Sequence, residues 1–303
     1  MPQSPTGEQV ELRHGNQVLV VVSGGAGIRT YSVDGQAMLD GYAEDEICAG
    51  GRGQMLIPWP NRIRDGVYTF AGARQRLAIT EPEQNTAIHG FSRWHTWTVG
   101  ERSEQRVVFA YSLLPQMGYP HTLDLRVEYE LGDAGVVVRP SATNVGGAPA
   151  PYACGAHPYL RPGPGMVDEW TLTLPAATHL LTDAQQVPVG SAPVEGTPFD
   201  YRAPRLIGEM KLDTAYADLQ RDPDGLARIV VANRAAGTSL TLWMDAGYPY
   251  VMAFTGDTLA DRARHGLGIE PMTGAPNAFA SGEGLVTLEP GQTHTAAWGI
   301  TPG

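Results

Sequence analysis

Four short stretches of this chain gather side chains suited to proton transfer. Gly268-Ile269-Glu270-Pro271-Met272-Thr273-Gly274-Ala275-Pro276-Asn277 sets one acid in an apolar run, then brackets it with prolines, glycines and an asparagine. That pattern places Glu270 at a strand end, in front of a stiff loop that cannot continue the strand. Apolar neighbours raise a carboxyl pKa, which suits a general base. Pro58-Trp59-Pro60-Asn61-Arg62 is stiffened by proline and delivers an amide and a guanidinium. Asn85-Thr86-Ala87-Ile88-His89-Gly90 delivers a histidine before a glycine. Gly155-Ala156-His157-Pro158-Tyr159 puts a histidine before a proline, which biases it towards extended backbone. Each also has an ordinary reading. Glu270 could be a strand-terminal surface acid, His89 a turn residue and His157 a satisfied core histidine. Arg62 could be a surface arginine, with Arg64 beside it as a decoy.

The elements that must hold these residues read as strands. Leu123, Leu125, Val127, Tyr129 and Leu131 alternate with Asp124, Arg126, Glu128 and Glu130, a period of two that marks a half-buried strand. Gly132-Asp133-Ala134-Gly135 turns the chain and Val136 to Val138 begins the return. Runs 106–111, 227–232, 239–244 and 250–254 have strand length and composition. In 239–244, Leu240, Leu242 and Met244 share one face. The stretch from Leu285 to Ile300, turning at Glu289-Pro290-Gly291-Gln292, reads as a terminal hairpin. Few segments show helical periodicity, and 37 glycines with 24 prolines fit many turns rather than long helices. The fold class expected is all-β: one large antiparallel β-sandwich over residues 1–303, with long functional loops.

Composition narrows the function classes. A net charge of −11 argues against a nucleic-acid partner, which needs a positive face for phosphates. No apolar run reaches transmembrane length, so no membrane association is expected. Residues 1–16 lack the apolar region of a signal peptide, and the chain is expected to be cytoplasmic. Cys48 and Cys154 make no disulfide framework. Cys154 lies three residues before His157, but a small buried thiol is the commoner role. Neither GxGxxG after a strand nor a P-loop occurs, so no nucleotide cofactor is indicated. Close histidine spacing for a metal is absent as well.

In this order, the Asn61-Arg62 pair, the His89-Gly90 segment, His157-Pro158-Tyr159 and the late Glu270 run resemble the aldose 1-epimerase (galactose mutarotase) family. The similarity runs from about Gly51 to the C-terminus, and it is closest to the shorter bacterial branch. It implies a galactose mutarotase-like supersandwich with a sugar cleft on one sheet. It also implies an isomerase that interconverts the α and β anomers of a free aldose. By resemblance His157 is the acid at the ring oxygen and Glu270 the base at the C1 hydroxyl. Asn61, Arg62, His89, Asp213 and Asn277 bind the sugar. No metal or organic cofactor is required, the partner is a monosaccharide, and the protein is a monomer or homodimer.

Two features depart from the family pattern. Asn85 lies four residues before His89, one more than the family spacing, so it is not carried over. The segment from His89 to Trp94 is short, which leaves the substrate open. Asp213 rests on chain order, with Asp218 as a rival. Trp59, Trp94 and Trp97 are candidates to stack on a sugar face. Arg93 is an extra cation near His89, placed to meet an acidic or phosphorylated sugar or to lie on the surface. A hexose-6-phosphate epimerase would need arginines clustered for phosphate, from Arg62, Arg64 and Arg93. A retaining glycosidase would need Asp213 and Glu270 about 5–5.5 Å apart, and it leaves His157 without a role. A non-enzymatic sugar-binding module would keep the aromatics without needing an acid/base pair.

Overall fold

The structure, a computed structural model, describes residues 4–303, and antiparallel strands dominate it. Two large sheets organise the chain. The ten-stranded sheet runs in the order Thr98–Arg102, Arg106–Leu113, Leu123–Gly132, Gly135–Asn144, Trp298–Pro302, Thr238–Met244, Ala227–Asn233, Thr171–Thr173 and Arg205–Leu206, with Thr293–Thr295 pairing beside it. Its longest hairpin joins Leu123–Gly132 to Gly135–Asn144 in the register the alternation predicts, Gly132 facing Gly135. Leu123, Leu125, Val127, Tyr129 and Leu131 are all buried, and Leu240, Leu242 and Met244 share the same core.

The expected terminal hairpin does not form. Val286–Leu288 pairs with Ala150–Tyr152, whereas Thr293–Thr295 and Trp298–Pro302 join Gly135–Asn144. Asn144 is the reason. Its buried side-chain amide donates to the Leu288 carbonyl at 2.7 Å, its backbone N–H donates to the Gln292 carbonyl, and its own carbonyl accepts from Gly291. The Pro290-Gly291 turn is therefore tied to a third strand rather than closing on itself.

The eight-stranded sheet positions the chemistry. Its order is Pro188–Pro193, Ala176–Thr182, Asp213–Leu219, Tyr250–Phe254, Leu267–Met272, Gly155–Ala156 and Met55–Leu56, with Tyr159–Leu160 also on Leu267–Met272. One register row links Asp213 to Phe254, Phe254 to Gly268, and Gly268 to Tyr159. Directly opposed residues in antiparallel strands share a face, and so do residues two apart. Asp213, Phe254, Tyr159 and Glu270 therefore point the same way. The intervening residues Val251, Ala253, Leu267 and Ile269 point into the core cluster that the first sheet also feeds. Among the described residues, no helix is long and apolar enough to cross a membrane.

Candidate active site

The face carrying Asp213, Phe254, Tyr159 and Glu270 is the floor of a cleft of about 530 Å³. Its walls come from the loops around Asn61-Arg62, Glu81 to Gln84, Ile88-His89, Arg93 and Thr258-Leu259. Glu270 does not end its strand. It sits inside Leu267–Met272, opposite Met252, and every residue of that strand is buried. The stiff loop begins two residues later than the sequence suggests, because Pro271 still pairs with Val251.

Two segments are pinned together to deliver the histidines. Arg62–Arg64 pairs with Thr86–Ile88, and just beyond that pairing His89 donates its backbone N–H to the Asn61 carbonyl at 2.9 Å. The Asn61 N–H in turn donates to His89 Nδ1 at 3.1 Å. An accepting Nδ1 leaves the proton of a neutral imidazole on Nε2. Gly90 has φ +64°, and a Cβ there would stand 2.1 Å from the Ile57 carbonyl oxygen, so no other residue fits behind His89. His157 follows Gly155–Ala156, a strand that crowds Pro60 so closely that a Cβ on Gly155 would lie 2.7 Å from its ring. The His157 ring stacks on Tyr159, centroids 4.7 Å apart and nearly parallel, and meets His89 edge-on at 5.4 Å.

At the centre, His157 Nε2 lies 3.3 Å from Glu270 Oε1. His157 Nδ1 and Glu270 Oε2 are buried without a protein partner. Burial pushes the Glu270 carboxyl up to about 8, the nearby Asp213 adds to this, and Arg62 opposes it. Burial also presses the His157 imidazole down, helped by the charge of Arg93. His89 is pressed down by burial and then by His157, Arg93 and Arg62. Asp213 is raised by burial, against the pull of Arg62.

Arg62 is locked in place. Glu81 accepts from its Nε at 2.7 Å and its Nη2 at 2.9 Å, and Thr86 Oγ1 donates to the same carboxylate. Its Nη2 lies 3.8 Å from Asp213 Oδ2. The cleft thus gathers Asn61, Arg62, His89, His157, Asp213 and Glu270 in one place.

Other expected site residues lie elsewhere. Asn277 is outside the cleft lining; its side-chain oxygen accepts from the Arg64 N–H at 3.0 Å, which makes it a fastener of the loop. Asp218 is exposed and accepts from Thr178 Oγ1, so Asp213 is the acid of the pair that faces the cleft. Arg64 is spent on Asp183 and Gln185. Trp59 and Trp97 are buried in the core, and Trp94 lies outside the cleft. The aromatic rings in the cleft are Tyr159 and Phe254 instead. Burial pushes the Cys154 thiol up to about 12, which removes it as a nucleophile.

The family model for aldose 1-epimerase matches residues 8–301. The chain belongs to that family. It is 31% identical to YihR, an uncharacterised protein of Escherichia coli K12, over 97% of this chain and 93% of that one. It is 29% identical to human galactose mutarotase over 182 residues, which is 58% of this chain and only 51% of the human protein. Among solved structures, an aldose epimerase homologue from C. elegans superposes with TM-score 0.88 at 19% identity, covering 98% of each chain. A galactose 1-epimerase from Lactobacillus acidophilus does so with TM-score 0.81 at 18% identity, covering 97% of this chain and 94% of the other. At those identities the likeness carries the galactose mutarotase-like fold and not the substrate.

For a member of the aldose 1-epimerase family, the side chains missed in the sequence are as instructive as those found. Glu81 in Thr80-Glu81-Pro82-Glu83 carries no signal that separates it from Glu83. Only the isolated bridge between Glu81 and Thr86 brings it under Arg62. Phe254 was recoverable from the alternation of Tyr250–Phe254 once one face was known to be wet. One donor atom each from His89, His157 and Glu270 lies within 4.8 Å of the others, a donor set able to receive a divalent metal.

Proposed function

We propose that this chain is an aldose 1-epimerase, an isomerase that equilibrates the α and β anomers of a free aldose by acid/base ring opening. The observation that carries this reading is the buried contact between His157 and Glu270 inside a cleft lined by hydroxyl-binding groups. Ring opening needs a proton placed on the ring oxygen and one removed from the C1 hydroxyl. The bond from C1 to the ring oxygen breaks, C1–C2 rotates, and the reverse transfers close the other anomer. Glu270 takes the C1 proton and His157 supplies the ring-oxygen proton.

The two residues titrate as one unit. With one proton between them, burial favours Glu270 as its holder, since it raises that carboxyl and depresses the imidazole. A sugar that offers a hydroxyl to Glu270 and a lone pair to His157 favours the charge-separated tautomer, with the same proton now on His157. Arg62 and Asp213 bind hydroxyls near Glu270, His89 donates through Nε2, and Tyr159 and Phe254 give apolar surface for a sugar face. Proton transfer by positioned groups supplies roughly 10²–10⁴-fold. Neither partner of the transfer is a metal. A glycosidase reading assigns no work to His157, although it touches Glu270.

Polarimetry of freshly dissolved α-aldoses tests the reading. The protein should speed the approach to equilibrium without moving the end point. No rate above the buffer background with any neutral or acidic aldose would overturn it.

A further inference from the structure

The two arginines of the cleft differ in one respect. Arg62 is neutralised by both oxygens of Glu81 and faces Asp213. Arg93, among the described residues, has no carboxylate within ion-pair distance, and its Nε is buried without any partner. It sits on the short turn Ser92–Trp94, with its guanidinium over the Trp94 ring at 4.4 Å and its carbonyl accepting from Gln54 Nε2. Leaving a partly desolvated guanidinium unpaired is unfavourable, and its planar fork fits a carboxylate, sulfonate or phosphate.

Its position says which part of a sugar it would meet. Gln54 ties Arg93 to the His157 side of the cleft, its Nε2 donating to the Arg93 carbonyl and its own carbonyl accepting from the His157 N–H, both at 3.1 Å, whereas Arg62 lies beside Asp213. If Glu270 serves the C1 hydroxyl and His157 the ring oxygen, the His157 side of the cleft holds C5 and its exocyclic C6. Of the other acids that line the cleft, Glu81 is already bound to Arg62, and Glu83 is exposed to water.

Resting on the reaction proposed above, we infer that the preferred substrate is an aldose carrying an acidic group on C6, held by Arg93.

Binding and turnover separate this inference from the reaction itself. 1,5-Anhydroglucitol has no anomeric hydroxyl and cannot open, so calorimetry reads binding alone. Its 6-phosphate should bind about tenfold or more tightly than the neutral parent, the scale of a charge-assisted bond, and salt should erode the difference. Arg93→Gln should collapse that ratio. Mutarotation of glucose, glucuronate, glucose 6-phosphate and a 6-sulfonated glucose then identifies the acid by the highest kcat/KM. Equal binding of neutral and phosphorylated analogues by the unmodified protein overturns the inference, whether or not the variant folds. Faster turnover of neutral aldoses than of every acidic one also overturns it, while leaving the epimerase reading intact. Tight, Arg93-dependent binding of the phosphorylated analogue with no turnover of any aldose would support the anion site and overturn the reaction.

Discussion

The strands Leu123–Gly132 and Leu267–Met272 treat their acids in opposite ways. In the first, Glu128 and Glu130 point outwards and meet Arg106 and Arg139 at the surface. Such pairs contribute about 0–1 kcal/mol each, and water would serve almost as well. In the second, Glu270 is buried, and one of its oxygens has no protein partner. Burial without a close counter-ion costs stability and raises the pKa to about 8. The same alternation of sheet residues makes a solvated face in one place and the floor of a cleft in the other. What differs is the loops laid over the second face.

Glutamine substitutions probe that contrast most sharply. Glu270→Gln should lower kcat by about 10²-fold or more, the scale of one positioned proton-transfer group. Glu128→Gln should leave kcat unchanged. Comparable losses in polarimetry would erase the distinction between the strands.

A metal ion offers a second probe. Chelator should leave the rate intact, whereas added zinc should inhibit by occupying His89, His157 and Glu270. Loss of activity on chelation, restored by a divalent ion, would mean that the trio is a metal centre instead.

A smaller effect is expected in the pH profile. The pair keeps its working proton until pH rises through about 8, the raised value for Glu270, so the enzymatic rate should decline above that pH. A rate still climbing there, after subtraction of hydroxide catalysis, would contradict the shared proton.

Stability should follow the same linkage. A carboxyl whose pKa rises on folding adds stability that is complete below its unfolded value and lost as pH climbs through its folded value. For Glu270 that window runs from about 4.5 to about 8. Glu270→Gln should therefore melt above the unmodified protein at pH 8, with the gap narrowing towards pH 4.5. Glu128→Gln should shift stability by only about 0.5 kcal/mol, the usual surface scale.

The outward acids also show what a sequence makes visible. Strict alternation over Leu123 to Leu131 announces its strand, its buried face and its turn without further help. His157, Glu270, Arg62 and His89 stood out because proline and glycine punctuate their surroundings. Asn277 misled, since its loop neighbours the site while its amide fastens Arg64. The tryptophans misled because size alone does not tell core packing from sugar stacking. Glu81 was invisible: its role depends on a bridge to Thr86 and on the reach of Arg62. The terminal hairpin failed for a similar reason, as one buried asparagine redirected both of its arms. Local periodicity is written along the chain, but the partner of a buried polar group is decided across it.

The central claim is that Glu270 and His157 act as one pair on the anomeric centre. A double-mutant cycle tests it most directly, with kcat measured for Glu270→Gln, His157→Asn and the double variant, each confirmed folded by circular dichroism. The prediction is that each single change costs about 10²-fold or more, and that the double variant loses much less than the product of the two. Losses that multiply in full, or near-normal kcat in folded Glu270→Gln protein, would contradict the account.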